Sequence, residues 1–256
     1  MSDEGPPPGA AWYVYGVVPA AATESGTGVA SRPVELVAEG DVAALVSVVP
    51  AEEFGEASLK TNLNDREWLE RTAREHENVL ERALARSAVI PFRLCTIYES
   101  RDRVREFLAT RGAALAELLA RLEGRVELGV KAYFDHATGA SEAGEPQSGR
   151  EYLLRRQRER DAAEEAARFK AESARASHER LAAAAEEARA NPPQPPELSG
   201  RAEEMLLNGA YLVRDDTRLR EAVAELAALY GTRGVTYEVT GPWPPYNFVP
   251  PEVVET

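Results

Sequence analysis

The chain has 256 residues, is 44% hydrophobic, carries a formal net charge of -13 and contains one cysteine, Cys95. That length leaves room for two domains with separate cores, and the acidic balance opposes binding to nucleic acid or anionic lipid. A lone cysteine excludes an internal disulfide. Met1 to Ala10 lack the basic start and apolar core of a signal peptide, and no run reaches the roughly 18 apolar residues of a membrane span, so a cytoplasmic protein is expected.

The opening residues 1–11, rich in proline and glycine, read as disordered. Trp12 to Val18 has the aromatic and β-branched content of a strand, and Pro19 ends it. Val34 to Val37 and Val42 to Val49 bracket Glu39-Gly40-Asp41 and read as a hairpin. From Asn64 a capped helix places Leu69, Ala73, His76, Leu80 and Ala83 on one face. Ala88 to Tyr98 reads as an apolar strand interrupted by Pro91, and Ser100 caps a helix that Gly124 closes.

Beyond Arg125 the elements spell out a topology. Val126 to Phe134 is a strand, a polar loop covers 135–148, and a helix is expected over 151–190, ended by Pro192. Its first turns are expected to cover a sheet through Tyr152 and Leu153, with the distal end protruding. Asn208-Gly209 between Glu204 to Leu207 and Ala210 to Val213 reads as a hairpin turn. Thr217 starts a last helix, and Val235 to Thr240 forms the final strand. The order β-α-β-β-α-β is that of the ferredoxin-like split unit. The expected fold is therefore α+β with two domains: an α+β domain over 12–124 and a ferredoxin-like domain over 125–241 that contains the long helix. A proline and aromatic tail over 242–256 follows.

That tail begins Gly241-Pro242-Trp243-Pro244-Pro245-Tyr246-Asn247-Phe248. Its prolines remove ladder donors, so the strand is expected to leave the sheet there and continue as a stiff segment. Trp243, Tyr246 and Phe248 then either strap the protein's own surface or meet a partner. Arg93 and Lys131 sit in strands that read as buried, where a cation needs a carboxylate, a carbonyl or solvent. Either can be a structural pair or an interface charge.

Catalytic patterns are not found. His76, His136 and His178 are far apart and form no metal or nucleophile motif, and Cys95 between Leu94 and Ile97 reads as an inert, buried thiol. Gly26-Thr27-Gly28 lacks the residues and setting of a phosphate loop.

Four stretches together resemble a known family: Ile90 to Tyr98, Glu127-Leu128-Gly129-Val130-Lys131, Gly149-Arg150-Glu151-Tyr152-Leu153, and the closing Gly241 to Phe248. In this order they resemble the F/L family of gas vesicle proteins, GvpF and GvpL, over about residues 12 to 249. Leu94-Cys95 stands where many relatives have Phe-Gly. The resemblance implies a non-enzymatic accessory protein of gas vesicle assembly, located with the vesicle or in the cytoplasm. Its implied partners are the small apolar shell protein and other accessory gas vesicle proteins. No cofactor, metal, nucleic acid, lipid membrane or small-molecule substrate is expected. Trp243, Tyr246, Phe248, Arg93 and Lys131 are the candidate partner-binding residues. The alternative is a ferredoxin-like domain that binds or transforms a small molecule, since fold does not decide function.

Overall fold

The computed structural model describes residues 9–135, 148–196 and 200–254. His136 and most of the expected disordered start lie outside them. Two compact units divide the chain: Met1–Val126 with Trp243–Thr256, and Glu127–Pro242. Among the described residues no helix is long and apolar enough to cross a membrane.

The first unit is built on strand β1, Ala10–Pro19, which pairs antiparallel with β3, Val42–Pro50. Ala10 and Ala11 therefore belong to a strand rather than to a disordered start, because they lie opposite Pro50 and Val49. β3 forms the expected hairpin with β2, Glu35–Glu39, and Gly40 takes the left-handed turn conformation at φ 58°. On the other side of β1 come two short strands, β4, Ile90–Pro91, and β5, Ile97–Tyr98. The single interrupted strand expected over 88–98 is thus two, split by an excursion at Phe92 to Thr96.

Helices cover both faces of this sheet. After two short helices that sequence periodicity missed, α1, Ala51–Phe54, and α2, Glu56–Asn62, comes α3, Arg66–Leu84, with Asp65 accepting from the Glu67 and Trp68 amides as its cap. α3 buries Trp68, His76, Val79, Leu80 and Ala83 against Tyr13, Tyr15, Leu45 and Phe54. α4, Arg101–Leu122, packs on β1, β2 and β3 through Val104, Leu108, Leu115 and Leu119.

Between Val14 and Gly16 the β1–β3 register shifts by a bulge at Tyr15. Gly16 is needed there, because a Cβ at this position would stand 2.5 Å from the Ile90 carbonyl oxygen. Tyr13 and Tyr15, two residues apart on β1, point to the same face and share one core. Tyr15 Oη donates to Ser47 Oγ at 2.9 Å and accepts from the Val29 amide at 2.9 Å. Tyr13 Oη accepts from the Cys95 amide at 3.1 Å and lies 2.9 Å from His76 Nδ1. Burial lowers the His76 pKa from 6.5 to about 4 against a weak opposing pull from the Phe92 backbone, and Nε2 makes no hydrogen bond of normal geometry. His76 is therefore neutral at neutral pH, with its Nδ1 hydrogen-bonded to the Tyr13 hydroxyl.

The second unit runs β6, Val126–Phe134; α5, Gly149–Ala182; β7, Glu187–Asn191; β8, Glu204–Val213; α6, Thr217–Tyr230; β9, Val235–Trp243. Its sheet has the order β7-β8-β6-β9. Three expectations are corrected. Asn208-Gly209 is no turn but the interior of β8, where Asn208 lies opposite Asn191 and Gly209 opposite Ala190. Gly209 leaves space for the Tyr211 ring, whose hydroxyl would stand 2.4 Å from an added Cβ. The long helix stops at Ala182, since residues 187–191 satisfy the edge of β8 and Asn191 precedes proline, which disfavours helix. Finally, the end of α5 that packs is the distal one: Ser173, Ser177 and Leu181 are its buried residues, and Tyr152 and Leu153 are exposed. Small side chains bring the helix close to its sheet, where Ser177 Oγ meets Tyr237 Oη at 2.6 Å and His178 Nδ1 meets Tyr211 Oη at 2.9 Å.

β9 continues through Pro242 to Trp243 rather than ending at Thr240, because an edge strand tolerates a missing donor. From Trp243 the chain belongs to the first unit. There Tyr246 Oη donates to Glu77 Oε1 on α3 at 2.8 Å, Arg121 on α4 donates to the Phe248 carbonyl at 2.6 Å, and Arg111 on α4 donates to the Glu252 carbonyl. A short helix, α7, Pro251–Val254, follows and packs on α4.

Three measurements check this account. Because the folded His76 pKa lies below its unfolded value, its stabilising contribution is complete above about pH 6.5 and is lost as pH falls toward 4. Denaturant midpoints should show wild type losing up to roughly 3 kcal/mol more than His76→Asn across that window; equal slopes would refute the buried neutral ring. Cys95 occupies left-handed backbone at φ 62°, so Cys95→Gly should change stability by less than about 0.5 kcal/mol while Cys95→Val costs about 1 to 2 kcal/mol. Thermal melts should place Phe248→Ala about 3 to 4 kcal/mol below wild type and Tyr246→Phe about 1 kcal/mol below it; an unchanged Phe248→Ala melt would show that the strap is not part of the core.

Candidate functional site

The excursion between β4 and β5 builds a cleft in the first unit. Phe92 donates its amide to the Tyr15 carbonyl and Val14 donates to the Thr96 carbonyl, so both ends of the excursion are stitched to β1. In between, Thr96 returns its hydroxyl to the Arg93 carbonyl at 2.8 Å, and Cys95 reverses the chain in the left-handed region. The Tyr13 hydroxyl holds the Cys95 amide from below. A special backbone role at position 95 is thus present although the residue is not glycine. Its thiol is half-buried, and burial pushes its pKa up to about 11, so it stays protonated at neutral pH.

Opposite the excursion stands α4. Its Phe107 ring meets Phe92 edge-on at 5.6 Å and Tyr98 at 6.0 Å, forming an aromatic floor. Above this floor opens a cleft of about 860 Å³, rimmed by Arg93, Glu99, Arg103, Glu106 and Arg111 and reached by Val254 from α7. Arg103 and Glu106 pair at 2.7 Å along the helix. The Tyr98 hydroxyl is buried without a hydrogen bond of normal geometry, and burial pushes its pKa up to about 12 against the attraction of Arg111. Among the described residues lining the cleft there is no histidine, cysteine or aspartate. The arrangement offers an apolar floor and a rim of both charge signs, the make-up of a surface-recognition cleft.

The five sequence-selected residues separate. Arg93 is exposed on the rim, because it falls in the excursion rather than within a strand. Trp243 is 38% exposed where the strap begins. Tyr246 is half-buried with its hydroxyl on Glu77, and Phe248 is 1% exposed, so its ring serves the core and is not available to a partner. Lys131 lies half-buried on β6 in the second unit. Tyr98, Arg103, Phe107 and Arg111 were missed as cleft residues. A signal existed in part: Ser100 marks the start of α4, and Arg103, Phe107 and Arg111 recur at four-residue steps from that cap.

Comparison with known proteins places this architecture. The profile of the family described as "Gas vesicle synthesis protein GvpL/GvpF" matches residues 11–250, hence both units. The chain is 35% identical over 249 residues to Gas vesicle protein L of Streptomyces sp. (strain CB03234), covering 92% of this chain and 91% of the relative. It is 29% identical to Gas vesicle protein F of the same organism, over 93% of this chain and 98% of that one. The crystal structure of the gas vesicle protein GvpF from Anabaena sp. PCC7120 is similar with a TM-score of 0.69 at 21% identity, over 93% of this chain and 95% of that one. GvpF from Microcystis aeruginosa gives a TM-score of 0.64 at 19% identity, over 93% and 98% of the two chains. At those identities the two crystal structures speak for the mixed α+β fold, with two sheets and helices. The match over residues 11–250 and the relative at 35% identity speak for descent, and this chain therefore belongs to the GvpL/GvpF family of gas vesicle proteins.

Proposed function

We propose that this chain is a non-enzymatic accessory protein of gas vesicle assembly that binds the small apolar shell protein, together with other accessory gas vesicle proteins, at the vesicle or on the way to it. The observation that carries this reading is the cleft on the family-matching stretch Ile90 to Tyr98. An aromatic floor with a charged rim fits docking of an apolar chain. The net charge of -13 would keep such a complex dispersed while apolar surface is in transit.

In this reading Arg93 contributes a rim charge and Trp243 an exposed aromatic edge, Tyr246 sets the strap on α3, and Lys131 is a secondary contact on the other unit. The second unit, with its β-α-β-β-α-β order, is taken as a ferredoxin-like module, and the boundaries near 125 and 242 as those of its domain.

Co-expression with the shell protein followed by affinity capture tests this. Wild type should retain the shell protein, whereas Arg93→Glu combined with Phe107→Ala should lower capture at least about tenfold, as loss of a buried aromatic anchor does. Wild-type failure to capture or solubilise the shell protein would sink the proposed function. Undiminished capture by a variant with native circular dichroism would move the site elsewhere and leave the function standing.

A further inference from the structure

The strap does not end in the core. Phe248 and Val249 are 1% and 8% exposed and anchor it, whereas α7 beyond them has Pro251 and Glu252 in solvent and Val253 and Val254 half-buried. A single helical turn has no stability of its own in water, because nucleation costs more than one turn returns. α7 therefore keeps its shape through what it touches. Val254 borders the cleft, and Arg111, which lines the same cleft, donates to the Glu252 carbonyl. Val253 returns its amide to the Pro250 carbonyl, while Pro250 and Pro251 have no amide hydrogen with which to bind a neighbour. A firm anchor followed by a lightly held tip is the make-up of a segment that opens before the fold does.

What α7 brings to the cleft also states what the cleft accepts. It offers a helix end, whose last carbonyls have no partner within the helix, and a β-branched aliphatic side chain. Arg111 meets the carbonyl with a guanidinium donor, and the Phe92, Tyr98 and Phe107 rings supply an apolar floor for aliphatic groups. The cavity still measures about 860 Å³ with Val254 at its border, so α7 holds one end of the cleft and does not fill it.

We infer that α7 is a built-in occupant of the Arg111 end of the cleft, and that the partner docks there with the C-terminal turn of a helix, displacing α7. The partner's terminal carbonyl replaces that of Glu252 on Arg111, and its aliphatic side chain replaces Val254. The contest is between a tethered segment and a free one. Tethering gives α7 an effective concentration of about millimolar order, and it yields to a segment that adds contact with the aromatic floor. Until then the apparent affinity of the cleft is lowered in proportion to the molecules in which α7 is seated. This inference rests on the docking reading of the cleft, in which the helix end is that of the shell protein.

Full-chain V253G/V254G tests it, since two glycines remove the side chains and weaken the turn without altering charge. Phe248 and Val249 are untouched, so its circular dichroism and melting curve should match wild type. The first readout needs no partner protein: titration with the apolar dye bis-ANS should show at least about tenfold tighter binding, as expected if α7 is seated in about nine molecules of ten. Adding Phe107→Ala should remove that gain, which places the dye in the cleft. The second readout is capture of the co-expressed shell protein, which should rise with the dye affinity. Unchanged dye binding in V253G/V254G, or a gain that survives Phe107→Ala, would overturn the inference. Capture below the wild-type level would also overturn it, making α7 part of the docking surface and not its competitor. Tighter dye binding with no shell protein captured by either chain would uphold α7 as the occupant and sink the shell-protein reading alone.

Discussion

Two buried tyrosine hydroxyls on β1 govern the first unit. A hydroxyl without a partner in a core costs more than its hydrogen bond is worth, so Tyr13 and Tyr15 dictate what must surround them. Tyr15 takes Ser47 on β3 and the Val29 amide, which fixes the connection after β1. Tyr13 takes His76 on α3 and the Cys95 amide, which fixes one covering helix and the excursion at once. A sheet strand, the helix above it and the cleft wall beyond it are thereby set by four hydrogen bonds from two adjacent like-facing rings. Their i, i+2 spacing along β1 is what aims both rings into one core.

The cleft inherits its rigidity from that arrangement. Its outer wall is a five-residue excursion, short enough to be mobile in isolation, yet held at both ends by β1 and in its middle by Tyr13. Left-handed backbone at Cys95 is the cost of turning so sharply, a conformation that glycine would hold without strain. The strap then joins the two helices on opposite faces of the sheet, with Tyr246 on α3 and the Phe248 and Glu252 carbonyls on α4. Rigid walls lower the entropy lost on docking, which favours recognition by a preformed surface.

The second unit shows a different economy. Its helix sits on the sheet through Ser173, Ser177 and Leu181, with hydrogen bonds from Ser177 and His178 to tyrosine hydroxyls in place of a continuous leucine stripe. Packing with small residues leaves the large ones, Tyr152, Leu153 and Leu154, on the part of the helix that no sheet covers. Burial and protrusion along α5 are therefore opposite to what side-chain size suggests.

Periodicity and caps alone were enough for α3 and α4, whose apolar stripes, Asp65 and Ser100 act locally, and for the β2–β3 hairpin, where Gly40 supplies the turn. The β-α-β-β-α-β order of the second unit was also legible, although one of its strands was assigned to the wrong residues. Family membership was legible from four stretches in order. Tertiary structure decided the rest, because the deciding contacts join residues distant in sequence. Ala-rich 187–191 is a strand only because β8 offers an unpaired edge, and Gly209 is a space for Tyr211 only because that ring folds back along its own strand toward α5. Phe248 became core and Arg93 became rim for the same reason: local sequence sets what a segment can be, and the partner it meets across the fold sets what it becomes.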